Sequence, residues 1–208
     1  MKKSLICLCM VSLLLVLSSY GILPKERTIS NFKLKSATTN QWVSLSDFKN
    51  SKGFIVVFLS NKCPMAKFYS KRLNQMSEKY SKLGVHLLAI NSMDTLVYGE
   101  ESFSKMRKKA KADNFSFPYL QDRNQTIARQ FKAENTPQAF VVWKNSAGQL
   151  IIKYHGAIDD NAGEPEKATH HFVMEAVDEL MMKKKVTTPK SDSFGCRIYY
   201  RGEKQKMN

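Results

Sequence analysis

The sequence is poor in the residues that mark fibrous, disordered and disulfide-rich proteins. Its 208 residues include only nine glycines, six prolines and four cysteines. No internal repeat with a period of about 20 to 50 residues is present. These shortages exclude a collagen-like chain, a low-complexity linker and a repeat solenoid. Hydrophobic residues make up 43% and charged residues 25% of the chain, which predicts one globular domain with a well-buried core.

Long hydrophobic runs are absent beyond the first 23 residues. Two lysines precede an apolar run at residues 5–17, and small residues follow it. This pattern is typical of a secretory signal, with cleavage expected near residues 19–21. Because the apolar character continues to Leu23, an uncleaved membrane anchor is the alternative. We therefore predict a signal peptide over residues 1–21 and an extracytoplasmic protein, either periplasmic or secreted.

Acidic residues are few, since 18 Asp and Glu stand against 33 Lys and Arg and give a formal net charge of +15. A charge of this size attracts nucleic acids and anionic membranes alike. The basic residues are concentrated at 105–111 and 183–185, which we interpret as a solvated helix face and a helix C-terminus. Contact with an anionic envelope surface is the alternative for both runs. The export signal argues against a nucleic-acid partner.

Apolar patterns predict an α/β fold with a central mixed β-sheet flanked by helices on both faces. Residues 54–59 and 84–90 are typical of strands buried on both faces, and the amphipathic segment between them predicts a helix of about 17 residues. Such a unit joins parallel strands by a right-handed crossover. Residues 138–143 and 150–154 have the spacing of an antiparallel hairpin. Further helices are predicted at 102–112, 125–132 and 168–184, and a short strand at 118–120.

These elements predict two regions after the signal peptide. A single domain is expected over residues 22–186, because all predicted helices and strands lie within it. Residues 187–208 lack periodicity and carry many basic groups, so we predict a tail that is ordered only in part. The tail contains Cys196, one of two cysteines that lie outside the signal peptide.

The other cysteine, Cys63, directly follows the first buried strand in the run Ser60-Asn61-Lys62-Cys63-Pro64. Unpaired amides at a helix start, together with Lys62 and Lys67, would lower the pKa of its thiol below about 8.5. Pro64 suits a first helical turn because its missing donor has no partner there. Position alone leaves two interpretations open, a reactive thiolate and a buried inert cysteine.

Several motifs occur in the order found in the thioredoxin-like superfamily. Cys63 lies between a strand and a helix, and Thr136-Pro137 follows much later, before the hairpin. Within that superfamily the chain is most similar to the peroxiredoxin-like redoxin branch of the alkyl hydroperoxide reductase and thiol-specific antioxidant group. The resemblance implies a thioredoxin-like fold with a cis proline at Pro137 beside the reactive thiol. The matching segments are Ala89-Ile90-Asn91-Ser92, 98–106 (YGEESFSKM), 117–122 (FPYLQD), 136–141 (TPQAFV) and 155–161 (HGAIDDN).

The chain departs from its relatives at the first cysteine of their Cys-Asn-His-Cys-Pro motif, which is Ser60 here. A serine cannot close a disulfide with Cys63, so turnover within this motif is excluded. Ser60 also resembles the hydroxyl residue that hydrogen-bonds peroxide in peroxiredoxins. The proline and arginine of those enzymes are absent, however, and Lys62 lacks the planar fork of an arginine. Fast peroxidase activity is therefore not expected.

Gly195-Cys196 resembles a Gly-Cys pair that such relatives carry near the C-terminus. We hypothesise that Cys196 resolves a sulfenic acid or mixed disulfide on Cys63, from a segment flexible enough to move. The alternative is a structural or intermolecular cysteine.

The sequence thus predicts a thiol oxidoreductase in which Cys63, Ser60 and Cys196 carry the chemistry. Thr136, Pro137, Pro64 and Lys62 would contact a thiol, disulfide or peroxide substrate, and an external thiol would reduce the enzyme. Because the backbone beside a cis proline can pair with an extended peptide, a protein or peptide disulfide is favoured. No cofactor or metal is predicted. The alternative is a binding module that kept the fold and lost turnover when its first cysteine became Ser60.

Overall fold

The computed structural model describes residues 26–202. The predicted signal peptide and residues 203–208 lie outside this range. Within it, no helix is both long enough and apolar enough to cross a membrane.

The strands of the fold are β1 (Thr28–Ile29), β2 (Lys33–Ser36), β3 (Trp42–Ser44), β4 (Gly53–Phe58), β5 (Val85–Asn91), β6 (Tyr119–Gln121), β7 (Asn135–Thr136), β8 (Gln138–Lys144), β9 (Leu150–Gly156) and β10 (Cys196–Arg197). An eight-stranded mixed sheet lies at the centre of the fold, in the order β1-β9-β8-β4-β5-β6-β2-β3. Strands β4, β5 and β6 are parallel, whereas β4 pairs antiparallel with β8, and β8 with β9. The predicted crossover and hairpin are therefore confirmed.

Helices cover both faces of the sheet, as predicted. Alternate side chains of β4 point to opposite faces, since Ile55 and Val57 join one core cluster and Val56 joins the other. The helices are α1 (Pro64–Lys67), α2 (Ser70–Ser81), α3 (Phe103–Ala112), α4 (Thr126–Phe131) and α5 (Phe172–Met181). The first cluster includes buried residues of α2, α3 and α5, and the second includes those of α4.

The helix after Cys63 is divided, although the periodicity predicts one continuous helix. Helix α1 ends at Lys67 and α2 begins at Ser70. At this break, Arg72 Nη2 donates to the Phe68 carbonyl oxygen at 3.2 Å. The predicted apolar stripe is nevertheless confirmed, since Leu73 and Tyr80 of α2 are fully buried.

Two further differences concern the start of the last helix and a pair of strands at one edge of the sheet. The predicted last helix begins at 168, but α5 begins at Phe172. Asp160 holds the preceding residues in a loop, because its carboxylate accepts hydrogen bonds from the Thr169 backbone N–H and hydroxyl. The antiparallel pair β2 and β3 was not predicted, and it extends the sheet beyond β6.

The C-terminal segment, residues 187–202, packs against the rest of the fold. Ser191 donates its backbone N–H to His155 at 3.2 Å, and the Ile198 N–H donates to the Glu134 carbonyl oxygen at 2.7 Å. Ile198 is buried, and Arg201 forms an ion pair of 2.6 Å with Asp94. The segment therefore lies along the molecule from residue 187 through Gly202.

Candidate active site

Cys63 lies at the junction that the sequence predicts, between β4 and α1. It is the N-cap residue of α1, and it is 2% exposed. Its thiol donates to the Thr136 carbonyl oxygen at 3.0 Å, while the Cys196 backbone N–H donates to its sulfur at 3.3 Å. The sulfur is therefore enclosed by the loop before Pro137 and by the C-terminal segment.

Cys196 reaches this position through strand pairing. Strand β10 runs antiparallel to β7, and Cys196 is directly opposite Thr136. Within residues 26–202 both cysteines are free thiols, with Cys63 buried and Cys196 half-buried. A cysteine 133 positions away in sequence thus lies beside Cys63. The predicted movement of the C-terminal segment is not needed to bring the two cysteines together.

Burial and hydrogen bonding have opposite effects on the Cys63 thiol. Burial raises its pKa, but hydrogen bonds from the Cys196 thiol and from the backbone N–H groups of Ala66, Cys196 and Met65 outweigh burial and lower it overall. Burial, the thiol hydrogen bond and repulsion by Cys63 raise the pKa of Cys196 to about 11. Cys63 is therefore the thiol that ionises first, and Cys196 remains its protonated donor.

The lowered pKa of Cys63 follows the predicted direction but has a partly different cause. Lys62 and Lys67 are exposed and are not among the groups that lower this pKa. The first-turn amides of Met65 and Ala66 contribute as expected, and Cys196 supplies the rest. The sequence spacing predicts that amides of the first helical turn lower this pKa. It does not predict that Cys196 also donates hydrogen bonds to the Cys63 sulfur.

Ser60 and Thr136 form the wall behind the two sulfurs. Their hydroxyl groups are hydrogen-bonded at 2.9 Å, and the Thr136 hydroxyl also donates to the Cys196 carbonyl oxygen at 3.4 Å. The Thr136–Pro137 peptide bond is cis, as the resemblance implies. Ser60, Thr136, Cys63 and Cys196 are therefore in one contact network. Pro64 opens α1 as an exposed residue of its first turn.

Glu101 is a site residue that sequence reasoning missed. Its buried carboxylate accepts hydrogen bonds from the Asn61 N–H at 2.7 Å, the Lys62 N–H at 3.0 Å and Asn91 Nδ2 at 2.7 Å. It therefore fixes the loop that leads from β4 to Cys63. The only sequence signal for Glu101 is that it lies within the matching segment 98–106. The sequence does not distinguish it from the adjacent Glu100, which has the same side chain and is exposed.

A cavity of about 450 Å³ opens beside the two cysteines. Met93, Val97, Tyr98 and Tyr199 supply apolar and aromatic walls, and Lys62 and Arg197 also line it. Of the predicted substrate contacts, Lys62 therefore faces the same space as Cys63. A small molecule with an apolar body fits such walls.

The backbone beside Pro137 is not free to pair with a substrate peptide, contrary to expectation. Both residues of β7, Asn135 and Thr136, are paired with Arg197 and Cys196 of β10. The chain itself thus occupies the site at which an extended peptide was expected. The reason is the long-range pairing of the C-terminal segment, which no local pattern reveals.

No group of three or more His, Cys, Asp or Glu side chains in the described range is arranged to hold a metal ion.

Comparisons with known proteins agree with this architecture. A hypothetical protein from Sinorhizobium meliloti 1021 is 29% identical, with a TM-score of 0.76 over 88% of this chain and 98% of that one. An uncharacterized conserved protein from Geobacillus kaustophilus is 27% identical, with a TM-score of 0.77 over 88% and 96%. The exposed lipoprotein thioredoxin Etrx1 from Streptococcus pneumoniae shares the fold at 14% identity, with a TM-score of 0.54 over 74% and 99%. No curated protein matches.

Residues 26–160, more than half of the chain, match the AhpC/TSA family. The match confirms the resemblance to thioredoxin-like redoxins and supports a thiol redox function in general. This chain belongs to the AhpC/TSA family.

Proposed function

We propose that this protein is an exported thiol oxidoreductase in which Cys63 and Cys196 act together as a dithiol. The observation that carries the proposal is the hydrogen bond from the Cys196 backbone to the Cys63 sulfur, at 3.3 Å between residues far apart in sequence. Ser60 has replaced the usual first cysteine of the motif. Cys196 supplies a second thiol beside the Cys63 sulfur.

The first step is attack by the Cys63 thiolate. With a hydroperoxide ROOH, the S–O bond forms as the O–O bond breaks, giving a Cys63 sulfenic acid and, after protonation, the alcohol ROH. With a disulfide, a mixed disulfide forms on Cys63 and one thiolate leaves. Both substrates are consistent with the geometry, because the lowered pKa of Cys63 supplies a thiolate in either case.

The second step is attack by Cys196 on the oxidised Cys63. Its thiol gives up a proton and its sulfur forms the Cys63–Cys196 disulfide. The leaving hydroxide of the sulfenic acid, or the leaving thiolate of the mixed disulfide, takes up a proton and departs as water or as the second substrate thiol. Part of the increase in the pKa of Cys196 comes from its hydrogen bond to Cys63 and from repulsion by Cys63. Both contributions end when Cys63 loses its charge, so oxidation of Cys63 lowers the pKa of Cys196, while burial, the largest cause of the increase, continues to raise it. An external thiol then reduces the disulfide.

We infer the cellular setting from the sequence. The predicted signal peptide supports an extracytoplasmic location, where a disulfide persists until a dedicated reductant meets it. Three exposed cations of α3, Arg107, Lys108 and Lys111, line a separate surface cleft of about 740 Å³. These three cations support contact of this cleft with an anionic envelope surface.

The test is stoichiometric oxidation of the reduced mature protein by one equivalent of hydrogen peroxide, and separately of a model disulfide. We expect the wild type to lose two thiols per chain, and Cys196→Ser to lose one, with a sulfenic acid that dimedone traps after peroxide. Cys63→Ser should react far more slowly with both oxidants. Oxidation of Cys63→Ser as fast as the wild type would contradict the proposal.

A binding module without turnover is the second candidate. The observation in its favour is the 2% exposure of Cys63, together with an edge already occupied by β10. For this candidate, the Cys63 thiol reacts with iodoacetamide with an apparent pKa at or above about 8.5 and neither oxidant consumes it.

A further inference from the structure

We propose that the C-terminal segment acts as an internal substitute for a peptide substrate and so determines which oxidants reach Cys63. While β10 is paired with β7, extended peptide disulfides are excluded, and only molecules that fit the cavity gain access. This proposal rests on the proposed function, because it requires Cys63 to react as a thiolate.

The pairing occupies the backbone that a peptide would need. An extended peptide binds beside a strand edge by using its free N–H and C=O groups. In this fold Asn135 and Thr136 form the whole of β7, and both are paired with β10. The Cys196 backbone N–H, moreover, donates to the Cys63 sulfur. A peptide disulfide would therefore have to displace β10 before its sulfur could approach Cys63.

Contacts on both sides of β10 hold it in place. Before it, Asn135 Nδ2 donates to the Ser193 carbonyl oxygen at 3.1 Å. After it, the Ile198 side chain is 2% exposed and Gln125 Nε2 donates to the Tyr199 carbonyl oxygen at 2.9 Å. These contacts keep β10 paired without any contribution from Cys196 itself.

Gly195 allows the close approach of the two strands. A Cβ at this position would lie 2.2 Å from the Thr136 carbonyl oxygen and 2.8 Å from its carbonyl carbon. Since both atoms are backbone, a larger residue would force β10 away from β7. Gly195→Val should therefore undock the segment, and with it the Cys196 backbone N–H that donates to the Cys63 sulfur. Because that loss acts on Cys63 whatever the oxidant, the readout is the ratio of the rates with a peptide and with a small molecule. Gly163→Val is the matched control, because a Cβ there would meet nothing within 4 Å.

The experiment measures attack by Cys63 alone, in the Cys196→Ser background. Two probes carry the same thionitrobenzoate leaving group, one joined to mercaptoethanol and the other to the cysteine of an unstructured 20-residue peptide. In each case the Cys63 thiolate attacks the probe's carrier sulfur, the probe's S–S bond breaks, and thionitrobenzoate leaves with the electron pair. Absorbance then gives the second-order rate for each probe.

We expect the peptide probe to react about tenfold or more slowly than the small probe in the parent. Gly195→Val should raise the ratio of the peptide rate to the small-probe rate about tenfold, since any change in the reactivity of Cys63 itself affects both rates alike. Gly163→Val should change neither rate. Equal rates for the two probes in the parent would overturn the proposal while leaving the proposed function intact. If neither probe reacts with Cys63, the proposed function itself fails.

A second pair of variants protects the test against misfolding of Gly195→Val. Ile198→Ser removes a buried anchor of the segment, whereas Phe194→Ser changes a neighbour that is 75% exposed. In each variant, hydrogen exchange at the backbone amide of residue 198, which donates to the Glu134 carbonyl oxygen, reports whether the segment has been released. A released segment with an unchanged peptide rate would overturn the proposal. A raised peptide rate in Ile198→Ser but not in Phe194→Ser would support it.

Discussion

The Cys63 sulfur is buried, yet its surroundings favour the thiolate. Burial alone raises the pKa of a thiol, because a charge loses its hydration. The Cys196 thiol and three backbone N–H groups reverse that effect and lower the pKa of Cys63. In the reduced protein, Cys196 therefore already stabilises the thiolate of Cys63, its partner in the proposed dithiol.

The first prediction concerns this hydrogen bond. Cys196→Ala removes the thiol donor, so the pH midpoint of Cys63 alkylation should rise from its lowered wild-type value. Cys196→Ser retains a hydroxyl donor, and its midpoint should remain closer to that of the wild type. The rate of iodoacetamide labelling of the Cys63 peptide, followed by mass across pH, measures the midpoint. Identical midpoints in all three proteins would show that the Cys196 side chain does not stabilise the Cys63 thiolate.

Glu101 is the other residue whose environment predicts a large effect. Glu101→Ala would leave three donors without their acceptor, on Asn61, Lys62 and Asn91. We expect the free energy of unfolding to fall by about 3 kcal/mol, measured by urea denaturation of the reduced protein. Glu100→Ala is the control, because its ion pair with Lys105 is largely exposed and should contribute less than about 0.5 kcal/mol. Equal losses in both variants would contradict this role.

At the scale of elements, the break between α1 and α2 is tied to the loop after β9. Arg72 pairs with Asp159 at 2.5 Å, and its guanidinium also donates to the Asn161 carbonyl oxygen. The Tyr69 hydroxyl donates to the same carboxylate at 2.9 Å. Asp159 is thus a structural residue that joins α2 and the break before it to the loop after β9.

Asp159→Ala should therefore destabilise the protein. The change leaves a mostly buried Arg72 without its partner, and the expected loss is about 3 to 4 kcal/mol in urea unfolding. Glu164→Ala, which breaks an exposed pair with Lys167, should change stability by less than about 0.5 kcal/mol. If Asp159→Ala unfolds at the wild-type urea concentration, the ion pair does not hold these elements together.

The elements that the sequence predicted are those with a strong local pattern. Strands β4, β5 and β8 are continuous apolar runs, and α2 carries its stripe in the expected register. Strands β2 and β3 were missed because their residues are mostly half-buried or exposed and show no clean alternation. Strand β10 is two residues long and forms only through its pairing with β7, so no sequence periodicity predicts it.

At the scale of the whole molecule, the site unites segments that are far apart in sequence. Cys63, Ser60, Thr136 and Pro137 were predicted from local motifs and a resemblance. That Cys196 reaches Cys63 was hypothesised from the resemblance, but its docked position beside Thr136 could not be predicted, because it depends on how residues 187–202 pack across a finished domain. The role of Glu101 likewise depends on the meeting of two loops after β4 and β5.

Oxidation should consequently stabilise the whole molecule. A Cys63–Cys196 disulfide would close a loop of more than 100 residues, and the loss of chain entropy in the unfolded state sets an upper limit of about 5 kcal/mol. We expect the oxidised protein to unfold at a higher urea concentration than the reduced protein. Cys196→Ser should show no such difference between the two conditions. A lower midpoint after oxidation would mean that bridge formation distorts the fold.

The most direct measurement of the proposed dithiol is peptide mass spectrometry after one equivalent of hydrogen peroxide. The predicted product is a monomer in which the Cys63 and Cys196 peptides are joined and two hydrogens have been lost. Cys63 recovered only as sulfinic acid or as a disulfide with another molecule, beside a free Cys196, would contradict it.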